Sequence, residues 1–186
     1  MKITETSLPG LLVIEPRVFE DERGYFFETY QEERYKEAGI NTNFIQDNES
    51  KSVRGVVRGL HYQLAPYSQA KLVRVVQGRV FDVAVDLRKG SPTFGQWLGF
   101  ELSEQNKKQM FVPRGFAHGF SVLSETAVFS YKCDNIYNRE AERSINPNDS
   151  TLKINWNLEG ADPIISEKDA AAPLLANAEM NFIFEK

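Results

Sequence analysis

Lys71-Leu72-Val73-Arg74-Val75-Val76-Gln77-Gly78-Arg79-Val80-Phe81-Asp82-Val83-Ala84-Val85-Asp86-Leu87 is the stretch that decides the fold class. It is rich in β-branched residues and splits at Gln77-Gly78 into two strand-length runs. The second run, Arg79 to Leu87, alternates almost cleanly, which is the period of a strand and not of a helix. The same texture extends outward. Towards the C-terminus, Phe94 to Leu102 resumes after the turn Gly90-Ser91-Pro92, followed by Gln109 to Pro113, Phe116 to Leu123 and Ala127 to Lys132. Towards the N-terminus, Leu11 to Glu15, Tyr25 to Tyr30 after the turn Asp21-Glu22-Arg23-Gly24, a start at Asn43 to Gln46, and Val53 to Leu60 read as strands. Roughly nine to twelve short strands, with turn signals about every eight to twelve residues, indicate an all-β sandwich or barrel. Helical patterns between the strands are missing, which argues against a doubly wound α/β fold.

Helix is confined to short pieces. Glu32 to Ala38 reads as one helix ended at Gly39, and a second is expected near Glu167 to Ala172. Asn138 to Ser150 is polar and reads as a loop, while Leu152 to Trp156 is strand-like. Nothing resembles a repeat or linker, so residues 1–186 are expected to form one domain.

Composition narrows the function classes. The hydrophobic fraction is 41%, the charged fraction 26% and the net charge −4, with both signs mixed along the chain. No Lys/Arg block is present, which disfavours a general nucleic-acid binder but leaves a nucleotide pocket open. Cys133 is the only cysteine, so no intramolecular disulfide is available. No run approaches the roughly 18 apolar residues of a membrane span, and the N-terminus lacks an apolar leader core, so no membrane association and a cytoplasmic location are expected.

Only two histidines occur, His61 in Arg58-Gly59-Leu60-His61 and His118 in Ala117-His118-Gly119-Phe120. Histidine is the natural base near neutral pH, and adjacent glycines permit close backbone approach. Each is either a working group or a satisfied structural residue. A metal site would want three or four ligands, and the histidine count disfavours one. Arg58 and Lys71 are either cavity cations, if the turn between them folds their strands together, or solvated edge charges. Tyr131 is either a core residue or a proton donor. Ser166-Glu167-Lys168-Asp169 suits a capped helix start, or supplies a carboxylate to orient a histidine. No P-loop or dinucleotide pattern appears among the glycines.

Seven stretches together resemble the dTDP-4-dehydrorhamnose 3,5-epimerase family: FEDERGYFFETY (19–30), FIQDNESKS (44–52), VVRGLHYQL (56–64), KLVRVVQGRVFDVAVDLRKGSPTFG (71–95), VPRGFAHGF (112–120), YKCDNIY (131–137) and SEKD (166–169). The resemblance implies a double-stranded β-helix, or cupin-like jelly roll, with a few short helices. It implies a homodimer that needs neither metal nor cofactor and acts on a dTDP-linked 4-keto-6-deoxy sugar. On that resemblance His61 is the base, held by Asp169; Tyr131 is the acid; and Lys71, with His118 nearby, steadies the enolate oxygen. Arg58 and Arg23 are assigned to the diphosphate or sugar. Glu28, Gln46, Asp47 and Asn48 are assigned to the nucleotide, partly across a dimer. Tyr137 is assigned to the thymine ring with Phe19 assisting, and Glu142 and Lys168 to further contacts. Glu49 and Lys51 depart from the family pattern, which expects His and Arg there. A single-carbon epimerase, an inactive sugar-nucleotide-binding cupin and a metal-dependent cupin isomerase or dioxygenase remain the rival readings.

Overall fold

The two central runs lie back to back but do not pair. In the computed structural model, which describes residues 1–185, β7 (Lys71–Gln77) and β8 (Arg79–Asp86) belong to different sheets. Gly78 makes the corner with φ +79°, and a Cβ there would stand 2.1 Å from the Thr126 carbonyl oxygen, so only glycine fits.

Strands switch sheet repeatedly along the chain. The first sheet runs β1 (Lys2–Glu5), β2 (Leu12–Glu15), β10 (Gln109–Val112), β7, β12 (Thr126–Cys133), β5 (Gln46–Val53). The second runs β13 (Glu142–Ser144), β6 (Val56–Gln63), β11 (Phe116–Val122), β8, β9 (Trp97–Ser103), with β14 (Ile164–Ile165) parallel to β6. β3 (Phe19–Asp21) and β4 (Gly24–Phe26) form a separate hairpin. This mostly antiparallel, two-sheet winding is that of a double-stranded β-helix of the cupin type. Antiparallel closure of this kind leaves few unprotected edges.

Inward-facing residues of both sheets meet in one apolar core. Val73, Val75, Ala127 and Phe129 of the first sheet pack on Val80, Ala84, Phe116 and Phe120 of the second. Phe129 stacks on Phe120 with ring centroids 4.3 Å apart and is 1% exposed, so Phe129→Ala would cost about 3–5 kcal/mol. Two further clusters cover the outer faces. Trp156, Leu152, Ile145 and Phe182 cover Val83, Val85 and Leu87 of the second sheet. Tyr35 and Ile40 cover Ile14, Leu72 and Phe111 of the first. That explains why β8 is buried on both faces although its sequence alternates.

The two helices fall where expected. α1 (Glu32–Glu37) starts from Gln31, whose side chain accepts from the Arg34 amide, and ends before Gly39 at φ +88°. α2 (Glu167–Ala170) starts from Ser166, whose hydroxyl accepts from the Asp169 amide at 3.1 Å. Three assignments need correction. Tyr25 to Tyr30 is strand only as far as Phe26, and residues 27–30 run on without pairing. Leu152 to Trp156 is not a strand; it is an apolar strap whose Leu152 carbonyl accepts from the Trp97 indole at 2.8 Å. Asn138 to Ser150 is not all loop, because Glu142–Ser144 pairs with the edge of β6 as β13. β1, β3 and β14 went unread, being short and largely exposed.

Candidate active site

Gly59 and Gly119 set the geometry of the site. They face each other across β6 and β11, and a Cβ on Gly59 would sit 2.6 Å from the Gly119 Cα. On Gly119 it would sit 2.6 Å from the Arg58 carbonyl oxygen. The register shifts at this point: His118 pairs with His61, but Phe120 pairs with Arg58, so β6 carries one extra residue. Such a bulge reverses side-chain parity. Arg58 and His61, three residues apart, therefore both turn into the space between the sheets, where they line one hollow. The Arg-Gly-Leu-His spacing has a mechanical reason.

Each histidine holds a carboxylate through Nε2. His61 meets Asp169 Oδ1 at 2.7 Å. Asp169 is 4% exposed, and its second oxygen accepts the Gly59 amide at 3.4 Å. Burial works against its charge, but the hydrogen bond and charge of His61 and the Gly59 amide together hold its carboxyl below the usual range. An ionised Asp169 only accepts, so it places the His61 proton on Nε2 and the lone pair on Nδ1. His118 meets Asp82 Oδ1 at 2.6 Å. Asp82 is fully buried, its Oδ2 has no partner among the described residues, and burial pushes its carboxyl up despite His118 and Lys71.

The first sheet supplies the opposite wall. Tyr131 of β12 pairs with Val73 of β7 and Asn48 of β5, while Lys71 pairs with Cys133. Lys71 and Tyr131 thus lie diagonally on the inner face, with Lys71 Nζ 5.8 Å from the Tyr131 ring centre. Burial lowers the Lys71 ammonium below the usual lysine range, against the pull of Cys133, Asp82 and Glu142. Burial, with Cys133, raises the Tyr131 phenol, so it keeps its proton at neutral pH. Burial also pushes the Cys133 thiol up to about 11, which leaves it a neutral wall group.

These walls enclose a cavity of about 400 Å³ lined by His61, His118, Lys71, Tyr131, Gln46, Asn48, Tyr137 and Glu142. A smaller hollow shares His61, Lys71, His118 and Tyr131 and adds Arg58, which also donates to Ser52 Oγ at 3.0 Å. Lys71 and Arg58 do share this space, though not through a hairpin: they approach from opposite sheets. At the mouth the Tyr137 hydroxyl donates to Glu142 Oε2 at 3.1 Å, and Lys168 Nζ donates to the same oxygen at 2.7 Å.

Four assigned residues lie elsewhere in this chain. Asp47 points out of the first sheet and takes Lys132 Nζ at 2.8 Å, because β5 alternates and Gln46, Asn48, Ser50 and Ser52 turn inward. The same alternation turns Glu49 and Lys51 outward. Phe19 and Arg23 lie on the exposed β3–β4 hairpin, where Arg23 pairs with Asp21. Glu28 pairs with Arg34 beside α1. Sequence reasoning missed Asp82 and the buried Gln63, which also lines the cavity. The signal for Asp82 was present, a carboxylate at the inward parity of Val80 and Ala84 within an apolar run. Among the described residues no three His, Cys, Asp or Glu side chains gather as a metal-ligand set.

Comparison with known proteins is consistent along the whole chain. Residues 5–177 match the family model described as dTDP-4-dehydrorhamnose 3,5-epimerase. A Pseudomonas aeruginosa dTDP-4-dehydrorhamnose 3,5-epimerase is 54% identical over 180 residues, covering 96% of this chain and 98% of that protein. The crystal structure of the Elizabethkingia anophelis dTDP-4-dehydrorhamnose 3,5-epimerase is 59% identical with a TM-score of 0.90, covering 95% of this chain and 97% of that one. A Legionella pneumophila dTDP-6-deoxy-D-glucose-3,5-epimerase, solved in complex with dTDP-4-keto-L-rhamnose, is 53% identical with a TM-score of 0.91, covering 95% and 93%.

Proposed function

This chain belongs to the dTDP-4-dehydrorhamnose 3,5-epimerase family, and on that premise we propose how its cavity side chains divide the chemistry. The reaction is epimerisation at C3 and C5 of dTDP-4-keto-6-deoxyglucose, giving dTDP-4-keto-L-rhamnose. The C4 ketone acidifies the hydrogens on both neighbouring carbons, because the carbanion left behind delocalises as an enolate. Removing a proton from one face and returning one to the other inverts the carbon. No electron changes hands, and the substrate's own ketone is the electron sink, so the scheme calls for no cofactor.

His61 takes the proton on Nδ1, with Asp169 stabilising the imidazolium that forms. Tyr131 gives a proton to the opposite face. Lys71, backed by His118, faces the C4 oxygen as negative charge builds there, where a nearby cation is worth most in a space shielded from water. The observation that carries this reading is the placement of base and acid on opposite sheets, lining the same cavity. A planar enolate between them is reached from two sides.

Arg58, Gln46 and Asn48 serve the diphosphate and nucleotide, with Tyr137 against the thymine ring and Glu142 and Lys168 at the mouth. Phe19, Arg23 and Glu28 sit outside this cavity, and Phe19, Tyr25 and Phe26 are 51%, 56% and 67% exposed. A hairpin with three exposed aromatic rings supports a homodimer in which it reaches a partner's cavity, and Asp47, also outside the cavity, would work with it. Residues 1–186 act as one epimerase domain in this reading. Among the described residues no helix is long and apolar enough to cross a membrane, and a cytoplasmic location fits the nucleotide-sugar substrate.

Chelator-treated protein incubated with dTDP-4-keto-6-deoxyglucose in deuterated water tests the scheme by NMR. Deuterium should enter at both C3 and C5. Exchange at one carbon alone would favour a single-carbon epimerase. In Tyr131→Phe, net epimerisation should fall further than proton loss; full activity would remove Tyr131 from the acid role.

A further inference from the structure

Gln63 follows His61 by two residues at the end of β6 and is 5% exposed. Its amide is fully engaged. Oε1 accepts the Asn138 amide at 2.6 Å, while Nε2 donates to the carbonyls of Ile136 at 3.1 Å and Tyr67 at 2.7 Å. The partners are one donor and two acceptors, so only one orientation of the amide satisfies them. Two of these bonds grip the backbone on either side of Tyr137. The Tyr137 hydroxyl is tied in turn to Glu142, whose backbone pairs with Gln63 across β6 and β13. Tyr137 is 54% exposed and has little packing of its own to fix it.

We infer that Gln63 is a positioning residue that presets Tyr137 for the nucleotide, linking the binding end of the cavity to the strand that carries the base. This rests on the assignment of Tyr137 to the thymine ring. A preset ring costs less ordering on binding, so the benefit appears in affinity and not in proton transfer. Gln63→Glu keeps the shape but turns a carboxylate towards two carbonyls. Gln63→Met removes both grips while keeping the volume.

The test measures dTDP affinity by calorimetry, and KM and kcat for dTDP-4-keto-6-deoxyglucose, for both Gln63 variants, for Tyr137→Ala and for the double variants. Each Gln63 variant should weaken dTDP binding and raise KM by about tenfold, with kcat within about threefold. The effect should largely vanish in the Tyr137→Ala background. If Tyr137→Ala binds dTDP normally, the thymine assignment fails. If Tyr137→Ala binds weakly but Gln63 variants do not, or if their effects simply add, the positioning role fails. A fall in kcat at unchanged KM would also overturn it. Melting curves identify a misfolded variant, and the other Gln63 variant then carries the comparison.

Discussion

Two histidine–aspartate pairs sit side by side on paired strands, and they differ in what surrounds the carboxylate. Asp169 has both oxygens engaged, by His61 and by the Gly59 amide, and sits at a capped helix start. Asp82 has one oxygen engaged and one without a partner, in full burial. The first carboxylate is easy to keep ionised; the second is held up by its surroundings. The ring of His61 is 35% exposed against 7% for His118. In the proposed scheme the first pair exchanges protons with the ligand, and the second holds a polar group beside Lys71. The lesson is that the same two residue types make a base or a fixture according to the remaining hydrogen bonds and access.

Replacing each histidine breaks the comparison most directly. His61→Ala should abolish deuterium exchange at both carbons, a loss of about 10³-fold or more. His118→Ala should cost about 10²-fold, because Lys71 still faces the oxyanion. The reverse order, read by NMR exchange rates, would interchange the two roles. Asp169→Asn should also cost about 10²-fold, since an amide no longer dictates the His61 tautomer.

Gly59→Ala disturbs both pairs together. The new methyl meets Gly119 at 2.6 Å with the backbone at φ +133°, so a cost of about 3 kcal/mol and a fall in Tm of roughly 10 °C are expected by thermal melt. An unchanged Tm would mean the two strands separate without effort.

The smallest effect is in the pH dependence of stability, and the two pairs should differ in sign. Asp169 is depressed in the folded state, so its contribution is present above the ordinary carboxylate pKa and is lost as pH falls through its lowered value. Asp82 is raised, so the folded state holds its proton longer, and stability declines as pH rises from the ordinary value through the raised one. In denaturant titrations across acid pH, Asp169→Asn should remove a rise and Asp82→Asn should remove a decline. Parallel changes in both variants would show the carboxylates to be equivalent.

Strands were legible because period-2 runs and glycine corners are local properties. Which sheet each strand joins was not, as Arg58 and Lys71 show: they share a cavity through long-range pairing and not through the turn between them. Leu152 to Trp156 carries a strand's composition, yet its apolar side chains are used to cover a sheet. The residues of the cavity were legible by type through the family pattern. Asp47 departs from its neighbours for a reason of parity that the sequence does contain, since β5 alternates throughout. Asp82 and Gln63 stayed hidden because their importance lies in partners 36 and 75 positions away.

The alternation of successive strands between sheets has a kinetic consequence. His61 and Tyr131 lie in strands that never pair in a ladder, so no hairpin of the chain brings base and acid together. Loop closure over such separations is slow relative to local turns, and base and acid face each other only once both sheets have closed on the shared core. Regain of activity during refolding should thus never precede the burial of Phe129 and Phe120, which makes turnover a late reporter of folding in this molecule.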